Sequence, residues 1–177
     1  MRKSIIAILM TFCLSIMTYA QTPRDRATEL KEQAQSSLNQ KDYIKARYLF
    51  KKAYEAFATR ENYPQAIECG VQANALYVRE NFYKEGFELC RDMDQLIWAG
   101  EQNQKKVFYD LRFLVNKERL QMYTALKNPA QAKTQLNKLE ETANLAKNDS
   151  LTEVLLYTKA NYYYTFGMNT QGDAATN

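Results

Sequence analysis

Apolar residues recur at every third or fourth position along almost the whole chain after residue 22, the period of helices buried along one stripe. Ala27, Leu30, Ala34 and Leu38 make the first stripe, and Asn39 to Asp42 form a short polar connection. The next stripe, Ile44, Ala46, Phe50, Ala53 and Phe57, predicts a second helix over 43–60. Thr22-Pro23 with Asp25 reads as a helix start, with the Thr22 oxygen as cap. Pro64 and Pro129 fit first turns, where the N–H that proline lacks would have no helical partner. Gly100 reads as a left-handed helix end, and Ser150 with Glu153 as a capping box. Together these signals predict helices at about 23–39, 43–60, 64–80, 82–98, 102–126, 129–147 and 150–167. Connections this short make consecutive helices antiparallel neighbours, so the expected fold is all-α with about seven helices.

Composition narrows the chemistry. Five Gly and three Pro in 177 residues supply few turns, which argues against a sandwich or barrel of short strands. The chain has no histidine, which removes Ser-His and Cys-His nucleophile pairs and His-ligated zinc or haem. Glycines at 70, 86, 100, 167 and 172 are too scattered for a phosphate-cradling loop. Glu140-Glu141 and Asp92 with Asp94 are the close carboxylate groupings, and they read as surface acids. The expectation is a non-enzyme with no catalytic residue, no cofactor and no metal.

The first residues read as an address. Arg2 and Lys3 precede an apolar run from Ile5 to Met17, and Thr18-Tyr19-Ala20 precedes Gln21, the layout of a secretory signal peptide cleaved after Ala20. That run is too short for a permanent membrane span, and no later apolar stretch reaches the length of one. Formal charge falls from +4 to +2 once Arg2 and Lys3 are removed with the peptide. The remaining bases interleave with acids, as at Lys31-Glu32 and Arg79-Glu80, a solvated face and not a nucleic-acid stripe. The expected organisation is a signal peptide at 1–20, a helical domain at 22–168, and a polar tail or the start of a truncated helix at 169–177. The expected location is the periplasm of a Gram-negative envelope.

Asp42-Tyr43, Ala46, Phe50 and Ala53 resemble the second helix of a tetratricopeptide repeat, with Leu30 and Ala34 at the large and small positions of the helix before it. A looser second copy places Asn81-Phe82-Tyr83, Gly86, Cys90 and Met93 in its second helix and Tyr77 in its first. A third has Ala132, Leu136 and Leu139, with Tyr123 in its first helix. The resemblance implies a right-handed solenoid of stacked antiparallel hairpins whose first helices line a concave groove. On that register Lys31 and Gln35, Val71 and Ala75, and Lys117, Gln121 and Thr124 face the groove. Some family members clamp a terminal carboxylate with Lys and Asn there. Here Gln35 replaces the Asn, and Val71 and Ala75 occupy the second copy, so an extended peptide or a helix of another protein suits the groove better.

The function this implies is an exported protein–protein interaction scaffold. Two alternatives stand beside it: the sensory N-terminal part of a membrane signalling protein whose output domain is not in this chain, and an accessory subunit of an envelope assembly or secretion complex. The seventh helix bears on them, because it carries Leu151, Val154, Leu155, Tyr162, Tyr163, Tyr164 and Phe166 and has no hairpin partner in the sequence. In a hairpin closest at Asn74 and Gly86, Gly70 lies opposite Cys90 with Cys69 one step off. A Cys69–Cys90 disulfide is then open, as is the alternative of two buried thiols.

Overall fold

The computed structural model describes residues 25–172, with side chains as far as 167. Residues 1–24, which hold the expected signal peptide and the Thr22-Pro23 start, lie outside it, as do 173–177. The described chain is all-α, with seven helices and no strand: α1 Arg26–Asn39, α2 Tyr43–Ala58, α3 Tyr63–Arg79, α4 Tyr83–Gln104, α5 Tyr109–Ala125, α6 Pro129–Ala146 and α7 Asp149–Gly172. Each helix packs on the next, and α3 also meets α5 and α5 meets α7. Among the described residues no helix is long and apolar enough to cross a membrane.

The helix starts follow from polar caps that satisfy free N–H groups. Asp25 accepts from the Ala27 N–H at 3.1 Å, Asp42 from Lys45 at 3.1 Å and Asn128 from Gln131 at 3.1 Å. Asn148 accepts from the Ser150 N–H at 3.0 Å, so the seventh helix is capped by Asn148 and not by Ser150 as the sequence suggested.

The ends are less expected. Lys41, Glu61, Asn81, Lys105, Lys127 and Lys147 all have positive φ, and no glycine does. At the first of these the Asp42 N–H donates to the Ser37 carbonyl and the Lys41 N–H to Leu38, a Schellman closure, and the same pair of bonds recurs after α2, α3 and α5. Gly100 therefore does not end a helix. It lies inside α4, which runs on to Gln104, and the fifth helix begins at Tyr109 and not near 102. A Cβ at Gly100 would sit 2.8 Å from the Phe108 ring and 2.9 Å from that of Tyr63, so this glycine serves close approach and not a turn.

Two hydrophobic clusters form the core. The larger spans α1 to α5 and includes Ala34, Ala46, Phe50, Ile67, Met93 and Val115. The smaller joins α5, α6 and α7 through Phe113, Leu120, Ala132, Leu136, Leu139 and Leu155. Helix α5 thus faces two cores at once. One expected core residue is misplaced: Ile44 is 69% exposed. Ala46, Leu49, Phe50, Ala53, Tyr54 and Phe57 define the buried arc of α2, and at about 100° per residue Ile44 falls on the opposite side.

Candidate binding groove

The seven residues expected to line a groove do not share one. Lys31 donates to Gln65 Oε1 at 2.8 Å and pairs with Glu68 at 2.8 Å, which occupies its charge between α1 and α3. The Gln35 amide donates along its own helix to Asn39 Oδ1 at 3.1 Å. Val71 is half-buried against the larger core, and Ala75 is exposed. Lys117, Gln121 and Thr124, in contrast, line a groove of about 540 Å³ between α5 and α7. Its far wall is Val154, Tyr157, Asn161 and Tyr162, and Lys127 stands at one end.

Three properties suit this groove to a polypeptide. The side chains of Gln121, Thr124 and Asn161 carry no hydrogen bond to another described residue, so they are available to backbone N–H and C=O groups of a ligand. Lys117 and Lys127 are its charged residues, with no carboxylate in its lining. Tyr157 is 76% exposed at the mouth and offers a large rigid face. Of the tyrosine run, Tyr162 packs on the smaller core, Tyr163 is half-exposed beside Lys133, and Tyr164 faces solvent.

Between α3 and α5 lies a buried polar pair the sequence reading missed. Asn74 on α3 and Glu118 on α5 are both buried, and the Asn74 amide donates to Glu118 Oε2 at 3.0 Å. Burial pushes the Glu118 carboxyl above its ordinary value, against the lowering effects of the Asn74 hydrogen bond and the Lys117 charge. Asn74 Oδ1 has no donor, although a Cβ at Gly86 would come within 3.0 Å of it. The signal was present in the spacing: Leu111, Val115, Glu118 and Met122 are one stripe, so a carboxylate occupies a core position.

Cys69 and Cys90 are free and buried; the disulfide left open by the sequence is not formed. They belong to different surroundings. Lys31 and Glu68 are the charges felt at Cys69, whereas Arg119, Glu118 and Asp94 act at Cys90. It is Gly70 whose Cβ would meet Met93 across the α3–α4 contact, and Cys69, one residue earlier, is turned about 100° from it. Burial pushes the Cys69 thiol up to about 11 and that of Cys90 to about 12. Neither should react with an alkylating agent at neutral pH in the folded protein. In denaturant without reductant both should alkylate, and a Cys69–Cys90 linked peptide in the mass map would contradict this.

Among the described residues no three of His, Cys, Asp and Glu converge as metal ligands. No protein-family model, curated protein or solved structure matches the chain.

Proposed function

We propose that the protein is an exported, non-catalytic scaffold of tetratricopeptide-like stacked hairpins that binds an extended peptide or a helix of another protein. The observation that carries this reading is the α5–α7 groove, where Lys117, Gln121 and Thr124 meet Tyr157 and Asn161 with their hydrogen-bonding capacity unused. The contacts of α3 with α5 and of α5 with α7, added to those between successive helices, support the stacked-hairpin arrangement, in which odd-numbered helices line one face. On this reading the site lies at the α5–α7 end and not along the whole sequence register, because Lys31 is already engaged by Gln65 and Glu68.

The test is affinity capture from envelope extracts, with the Lys117→Glu/Gln121→Ala double variant beside the unmodified protein. A partner retained by the unmodified chain and lost by the variant, with far-UV circular dichroism unchanged, supports the groove. Equal capture by both moves the site elsewhere. A second reading, the sensory part of a signalling protein, is favoured by α7, whose outer side leaves Leu156 and Tyr164 exposed. Side chains of this kind suit cover by a further helix or a partner.

A further inference from the structure

Helices α2, α4 and α6 share one burial pattern. Buried residues fall at 46, 49, 50 and 53 in α2, at 86, 89, 90 and 93 in α4, and at 132, 135, 136 and 139 in α6. The solvent-facing arcs can therefore be compared position by position. In α4 that arc holds Lys84, Glu85, Glu88, Arg91, Asp92 and Gln95, a mixed and slightly acidic polar surface. In α6 it holds Ala130, Gln131, Thr134, Asn137, Lys138 and Glu141, polar and balanced in charge. These are what solvation alone requires.

The α2 arc differs at almost every position. Ile44 and Tyr48, 69% and 61% exposed, replace Lys84 and Glu88 of α4. Lys45, Lys51 and Lys52 surround them, exposed Lys41 lies in the turn before the helix, and Glu55 is the one acid, paired with Lys52 at 2.8 Å. The six helical residues fall within an arc of about 120° and along roughly 16 Å of helix. Lys41, Lys45 and Lys51 have no carboxylate partner among the described residues. Arg47 lies off the arc, paired with Glu80 and seated over the rings of Tyr77 and Phe82.

We infer that this face of α2 docks the protein on an anionic lipid surface. The charge and the exposed apolar side chains both point that way. Ile44 and Tyr48 stand exposed among the lysines and, with Lys51, Lys52 and Glu55, border an open recess of about 390 Å³. Its cations are lysines, mobile point charges suited to a diffuse field of headgroups and not the planar fork that reads one carboxylate. Tyr48 and Ile44 lie between them, where an interfacial helix places an amphipathic ring and an apolar side chain. An acidic protein surface would be met by the same lysines, but it would leave Ile44 without an apolar partner.

The test uses the full chain and vesicles of phosphatidylglycerol with phosphatidylcholine, against phosphatidylcholine alone. Each lysine at such a surface is worth about fivefold in partition, so Lys45→Ala/Lys51→Ala should lower binding to the anionic vesicles on the order of 25-fold. High salt should weaken binding of the unmodified chain, and Lys84→Ala/Arg91→Ala should leave it unchanged. The apolar run from Ile5 to Met17 is common to all these forms, so their differences report on α2. A local reporter is Tyr48→Trp with Trp98→Phe, which replaces the single tryptophan. Brominated anionic lipid should quench its fluorescence. Equal partition of the lysine variant, or no quenching at position 48, overturns the inference. Lysine-dependent binding to poly-glutamate without quenching by the brominated lipid overturns it in favour of an acidic protein.

Discussion

Phe50→Ala should cost about 3–5 kcal/mol of folding stability, the loss expected when a fully buried aromatic leaves a cavity in a close-packed core. Phe50 is 1% exposed and belongs to the cluster that joins α1 to α5. Small neighbours let the helices approach around it: Ala34, Ala46 and Ala53 are all fully buried. Those helices have little freedom to collapse into the space left, since alanine cannot shorten further. Ile44→Ala, six residues earlier on the same helix, should change stability by less than about 0.5 kcal/mol, as exposed substitutions usually do. Urea unfolding of the two variants beside the unmodified chain measures both. A loss at Ile44 comparable to that at Phe50 would mean that α2 is rotated from the orientation described.

Glu118→Gln should stabilise the protein at neutral pH and do little in acid. Burial raises the Glu118 carboxyl above the ordinary value of 4.5, so the folded chain keeps its proton where the unfolded chain has already released it. Below that ordinary value both states are protonated and the group has no effect on stability. As pH climbs past it the unfolded chain gains and stability falls, levelling off once the folded carboxyl also ionises. Glutamine carries no charge in either state and escapes this loss. Its amide can also donate to Asn74 Oδ1, which otherwise lacks a donor. In acid the protonated Glu118 carboxyl can make the same donation, so the glutamine adds nothing there; at pH 7 the expected gain is about 1–3 kcal/mol. Asn74→Ala should act in the opposite direction, because it removes the donor to Glu118 Oε2. Unfolding midpoints of the three proteins between pH 4 and 7 decide this. A Glu118→Gln gain independent of pH would show that Glu118 does not titrate as its burial demands.

Much of the local structure was legible before any tertiary contact was known. Asp42 and the two prolines mark helix starts because capping and the missing proline N–H act within one turn. Ala34, Ala46, Ala53, Gly86 and Ala132 are buried at the positions where the tetratricopeptide resemblance implies small residues. The candidate site was legible in part. Three of its residues, Lys117, Gln121 and Thr124, fell in the groove, whereas the two on each of the earlier helices did not join them. Lys31 was lost to the site because Gln65 and Glu68, more than thirty residues away, converge on it.

The sequence by itself determined seven helical segments, the starts that carry a polar cap or a proline, and most of the face each helix buries, because these depend on residues within one or two turns of each other. Tertiary structure decided the rest. It carried α4 through Gly100, since Phe108 and Tyr63 crowd a position that the local pattern reads as a helix end. It turned Ile44 outward, because α1 and α3 both press on the arc defined by Phe50 and Phe57. It buried Glu118 against Asn74, separated Cys69 from Cys90, and opened the groove between α5 and α7. Each of these outcomes depends on which face of a helix meets a distant neighbour, and periodicity along one chain carries no information about that neighbour.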